Sequence, residues 1–156
     1  ITQLFHETIC KREKGLTVFG GDAPEAQHHT NQRIFGGKRN SSILFLVSGE
    51  NDKEQIKIPS KLKNIKMKDN DILILAGKYS DSLLYEYEGT LKHAISNKIP
   101  CATVSLDKID EESMGELIGL FQQIVVFLAK LNIVNPYNQP AVEKSKNISF
   151  LKRTRK

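Results

Sequence analysis

At 156 residues, 39% hydrophobic and 26% charged, the chain fits one soluble globular domain with a proper core. Its net charge of +5 is unevenly placed: from Lys144 onward there are six basic residues and no acid, which leaves 17 basic against 18 acidic residues in the body. A near-neutral body without a basic face argues against a nucleic-acid partner, and the lack of a run of ~20 apolar residues argues against a membrane one.

The chain begins at Ile1 rather than Met, inside a helical stripe of Ile1, Leu4, Phe5 and Ile9, as a piece of a longer protein would. The helix is expected to run to about residue 13 and to end at Gly15. The apolar run Leu16 to Phe19 reads as a strand. In the next stretch, GGDAPEAQHHTNQRIFGG, Asp22 caps a helix, with Pro24 in its first turn and Glu25 three residues after the cap. Gly36-Gly37 closes that helix where a left-handed residue is needed. Gln27, His28 and Gln32 then sit near a positive helix end, which suits an anionic ligand; a solvated surface helix with two idle histidines fits the composition equally well.

Ile43 to Val47 is a continuous apolar run before Ser48-Gly49, the pattern of a strand covered on both faces. Asn51 to Asn70, polar and lysine-rich, reads as loop. Ile72 to Ala76 fits a buried strand or the start of a helix, and periodicity does not separate the two. Asp81 caps a helix to about Ser96, with Leu84, Tyr87, Leu91 and Ile95 on its inner face. Ile99 to Leu106 is a strand. Asp110 caps the longest helix, apolar on nearly every side and so expected to be deeply buried or to lie at a subunit contact. Asn135-Pro136 breaks it, and Gln139-Pro140 opens a last helix. Strands alternating with helices predict an α/β layered domain with a mainly parallel sheet. Ligands of such sheets bind at the carboxyl ends of strands, beside helix N-termini.

Three polar groups stand out as chemistry. Glu7 lies on a helix with an apolar face, where a carboxylate can become a base. His28 titrates near neutrality. Lys146 sits in a basic run. Each has an ordinary solvated reading beside the functional one. Adjacent histidines on a helix point about 100° apart, so His28 and His29 chelate poorly and no metal site is expected. The distant cysteines, Cys10 and Cys101, fit neither a metal nor a disulfide framework and point to a reduced, cytoplasmic protein. No GxSxG elbow, GxGxxG or phosphate loop is present.

Three blocks, in order, resemble the glucose-6-phosphate isomerase (phosphoglucose isomerase) family. QLFHETICK at Gln3 to Lys11 is similar to its catalytic-glutamate block. QHHTNQ at Gln27 to Gln32 is similar to its QHxxxQ block. NPYNQPAVEKSK at Asn135 to Lys146 is similar to its C-terminal NPFDQPGVE block with a lysine three residues beyond the glutamate. SLLYEYEGTLKHAI and MGELIGLFQQIVVFLAKL resemble family helices between them. The resemblance implies a sugar-isomerase (SIS) domain, a flavodoxin-like three-layer α/β/α sandwich, at residues 1–146, followed by a basic tail at 147–156. It implies isomerisation of glucose 6-phosphate to fructose 6-phosphate through a cis-enediol, without a cofactor. Glu7 would be the base; His28 and Lys146 would assist ring opening; Gln139 would bind substrate near its phosphate end. The family's histidine serves the neighbouring subunit, which implies a homodimer. Its phosphate loop and enediolate-stabilising arginine belong to an N-terminal domain, so this chain alone is expected to be nearly inactive. Cys10 and Ala141 depart from glycines common in the family. A non-catalytic sugar-phosphate-binding module of the same fold is the alternative.

Overall fold

The computed structural model describes residues 1–49, 59, 61, 66–67, 70–71 and 79–154. They include helices α1 (Thr2–Ile9), α2 (Gln27–Gly36), α3 (Tyr79–Ser96), α4 (Glu111–Leu131) and α5 (Pro140–Thr154), and strands β1 (Ile43–Ser48), β2 (Lys66–Met67), β3 (Asn70–Asp71) and β4 (Cys101–Leu106). Helices with a parallel strand pair make the fold α/β. The chain divides into two compact units, one of residues 1–20 and 110–156, the other of residues 21–109.

In the first unit, α1 packs on α4. Leu117, Phe121, Val125 and Ala129 recur every four residues on α4 and are all buried, the stripe a 3.6-residue period aligns. Against it α1 buries Phe5, Thr8 and Ile9, with the Phe5 and Phe121 rings edge-on at 6.1 Å. Asp110 caps α4: its carboxylate accepts the Ser113 N–H at 2.9 Å. At the far end Val134 N–H reaches Ala129 O and Ile133 N–H reaches Lys130 O, both at 3.0 Å. This is a Schellman ending with Ile133, at φ 57, in the place glycine usually takes. Gln139 precedes Pro140, whose missing N–H costs nothing at a first helical position.

In the second unit β1 and β4 pair in parallel, Ile43 opposite Cys101 through Ser48 opposite Leu106. Phe45 of β1 meets Tyr87 of α3 edge-on at 5.2 Å, and Tyr87 Oη bonds Thr103 Oγ1 of β4 at 2.9 Å, so α3 lies over that face. β2 and β3 form a two-residue antiparallel rung. Along α3 lies α2: Phe35 stands edge-on to His93 at 4.3 Å, and Gln27 Nε2 donates to Thr90 Oγ1 at 3.2 Å.

Several sequence expectations need correction. α1 stops at Ile9, well before Gly15. Leu16 to Phe19 is not a strand; it has no partner strand among the described residues, and Phe19 is 84% exposed. The Asp22 helix therefore does not follow a strand, and it starts at Gln27. Asp22 caps nothing: its backbone carbonyl, not its carboxylate, takes the Ala26 N–H at 2.9 Å. Gly37 is extended rather than left-handed. β1 alternates instead of being covered on both faces, with Leu44 and Leu46 each nearly half exposed. Asp81 falls inside the first turn of α3, not at its cap, and Leu84 and Ile95 of the expected inner face are exposed. α4 is buried along one stripe, not all round; Phe127 is 64% exposed. By length and composition alone α4 also passes as a membrane-crossing helix, although its buried stripe is spoken for by α1. Ile72 to Ala76 and most of Asn51 to Asn70 lie outside the described residues.

Candidate active site

Glu7 stands on the flank of α1, half-buried beside the Phe5, Thr8 and Ile9 face. One turn earlier, Gln3 shares its side of the helix. Gln3 Nε2 donates to Glu7 Oε1 at 2.9 Å. From the start of α5, Gln139 Nε2 donates to Glu7 Oε2 at 2.6 Å. Each carboxylate oxygen thus has its own amide donor, one local and one from 132 residues away. Two amide donors, one on each oxygen, fix the plane of the carboxylate.

The segment after α1 reinforces this corner. His6 Nε2 accepts the Val18 N–H at 2.9 Å, which sets the tautomer with hydrogen on Nδ1. Lys11 Nζ bonds Asn135 O, and Lys14 Nζ bonds Asn132 O at 2.9 Å. Partial burial lowers the Lys11 pKa from its ordinary value, because an ammonium loses hydration there.

Lys146 is exposed on α5, where Nζ meets Glu143 Oε1 at 3.3 Å, one turn away. A pair this exposed contributes little to stability. His28 belongs to the other unit. It is exposed in the first turn of α2 and has no hydrogen-bond partner among the described residues. It lines an open groove of about 660 Å³ with Gln27, Asn31, Gln32, Phe35 and Glu86. His29 bonds its neighbour Thr30 at 3.2 Å. Among the described residues no three His, Cys, Asp or Glu side chains gather as metal ligands, and both cysteines are free thiols.

Of the four residues singled out in the sequence, the structure brings Glu7 and Gln139 into direct contact. Sequence reasoning passed over Gln3, whose i,i+4 spacing to Glu7 was the available signal. It also passed over Lys11 and Lys14 as anchors and Asn31, Phe35 and Glu86 as groove residues, whose placement depends on tertiary packing.

No protein-family model matches the chain. Among curated proteins it is 29% identical over 148 residues to the glucose-6-phosphate isomerase of Methanocaldococcus jannaschii, covering 95% of this chain and 35% of that protein. It is 32% identical over 151 residues to that of Clostridioides difficile, covering 95% and 32%. With that of Synechococcus sp. the identity is 33% over 134 residues, covering 86% and 23%. The chain spans about a third of the length of most of these relatives. Over nearly all of its own length, then, the chain is a sequence relative of the glucose-6-phosphate isomerases, matching a part of each.

Proposed function

We propose that this chain is the C-terminal, SIS-type part of a glucose-6-phosphate isomerase and supplies its base. The observation that carries the reading is the likeness of 95% of the chain to curated proteins of that name. On this reading the full enzyme converts glucose 6-phosphate and fructose 6-phosphate, in the cytoplasm, as a homodimer with three-layer α/β/α domains and no cofactor. Glu7 takes the proton from C2 of the open-chain aldose, leaving an enediolate that becomes the cis-enediol when O1 gains a proton, and returns its proton to C1 as O2 gives up its own. One carboxylate able to accept and give back the same proton suffices for this shift. What supports the role is the pair of donors, Gln3 and Gln139, that hold the Glu7 oxygens before any substrate arrives. His28 and Lys146 move protons at the ring oxygen and its hydroxyl so that the sugar opens. Gln139 also binds substrate near its phosphate. The remaining part of the enzyme supplies the phosphate loop and a cation for the enediolate, a contribution of several kcal/mol in sites of this kind. The isolated chain is then nearly inactive.

The test is isotopic. The full-length protein is run on fructose 6-phosphate in deuterated water. A proton-transfer mechanism puts deuterium at C2 of the glucose 6-phosphate formed. Turnover with no deuterium uptake at all, from a protein whose Glu7→Gln variant stays fully active, would end the reading.

A further inference from the structure

After α1 the chain folds into a turn closed by Lys14 N–H on Lys11 O at 3.1 Å, with Arg12 and Glu13 at φ 54 and 60. The turn aims two ammonium groups, three residues apart, at two carbonyls, three residues apart: Lys11 at Asn135 O and Lys14 at Asn132 O. Asn132 is the C-cap of α4, where the helix dipole is negative and a cation is favoured, and Asn135 follows it by three residues. The Asn132 side chain is turned back to Leu128 O at 2.8 Å. The Asn135 side chain takes the Tyr137 N–H at 2.9 Å and so begins the bend toward Gln139.

The result is a ladder with two rungs. Lys11 stands four residues after Glu7 on one side, and Gln139 stands four residues after Asn135 on the other. One rung is Lys11 to Asn135 O; the other is Gln139 to Glu7. Such a short closed frame lets neither rung shift without the other. We propose that Lys11, seconded by Lys14, is a positioning residue for the isomerisation: by holding the Asn135 carbonyl it sets the Gln139 amide on the Glu7 carboxylate. This rests on the reading of Glu7 as the base.

The experiment uses the full-length protein carrying this chain. Lys11→Met keeps the apolar stem and removes the donor. We expect kcat to fall about tenfold, the scale of one charge-assisted hydrogen bond. The primary isotope effect on kcat with glucose 6-phosphate deuterated at C2 should also rise, because a misaligned base makes the proton transfer more fully rate-limiting. Lys11→Arg, which keeps a cationic donor, should restore kcat to within about threefold and return the isotope effect to its parent value. Simple loss of folded protein would lower the active fraction but leave the isotope effect where it was. Should Lys11→Met not accumulate as folded protein, Lys14→Met is read by the same two measures. If kcat and the isotope effect stay unmoved while Glu7→Gln is inactive, the positioning role is overturned and the base remains. If Glu7→Gln itself is active, the base reading falls and this inference falls with it.

Discussion

Glu7 and His28 lie in different units and are held in opposite ways. The carboxylate is half-buried, and each of its oxygens has an amide donor. The imidazole is exposed on the rim of an open groove and has no hydrogen-bond partner among the described residues. A base that must meet one carbon and then its neighbour benefits from fixed geometry. A residue that completes a site on another subunit must present its reacting group outward from its own. The contrast is what the proposed division of labour requires, and it can be broken in several places.

The largest effect belongs to the fixed group. Glu7→Gln preserves shape and removes the proposed base, so on that reading turnover by the full-length protein should fall about a thousandfold, measured by coupled assay with fructose 6-phosphate. His28→Ala should cost about a hundredfold. It also offers a sharper trial of the comparison. If His28 serves a neighbouring subunit, mixing and re-associating the two inactive variants yields hybrid dimers in which one site carries both lesions and the other carries none. Activity should then reappear. Hybrids as inactive as their parents would place both groups in one subunit's site and dissolve the contrast. Next comes Gln139→Leu, which leaves Glu7 with Gln3 alone. A loss of about tenfold is expected, one hydrogen bond's worth of alignment.

How much of this could be read from residues alone differs between the two regions. Local signals held where one element carried them. Asp110 caps α4 because a carboxylate three residues before a free N–H needs no distant partner. Pro140 opens α5 for a similarly local reason. The apolar runs at 43–47 and 99–106 became β1 and β4 with a parallel register, although a strand pattern does not say how much of each face will be covered. Signals failed where two local solutions compete. Asp22-Ala-Pro-Glu has the composition of a helix start, yet the chain makes a turn first and leaves Ala26, with no side-chain bond, at the true start. Leu16 to Phe19 has strand composition but no strand beside it among the described residues. The bonds that hold Glu7 in place were invisible for another reason. Gln139 to Glu7 and Lys11 to Asn135 span more than a hundred residues, and no periodicity encodes a contact of that range.

The corner around Glu7 also carries a visible cost. Ile133, a β-branched residue at φ 57 and mostly exposed, occupies the left-handed position that ends α4. Its side chain buries little there, and its backbone is strained by about 1 kcal/mol or more. Ile133→Gly should therefore raise the unfolding free energy by about 1 kcal/mol in chemical denaturation, while keeping the Schellman bonds. A loss of stability would mean that the turn is held by the isoleucine side chain rather than by the lysines that grip its carbonyls.

The smallest expected change is the most diagnostic for the second region. His28 makes no hydrogen bond among the described residues and lies exposed in the first turn of a helix whose own residues are not buried. Its removal takes away no packing and no cap. His28→Ala should leave the unfolding free energy within about 0.5 kcal/mol of the parent, as for other surface positions. Set beside a hundredfold loss of turnover, that near-zero value would separate a group kept for chemistry from one kept for the fold. A large destabilisation would instead mean that the imidazole is covered in the assembled protein and contributes to an interface, and the activity loss would then no longer count toward a role in ring opening.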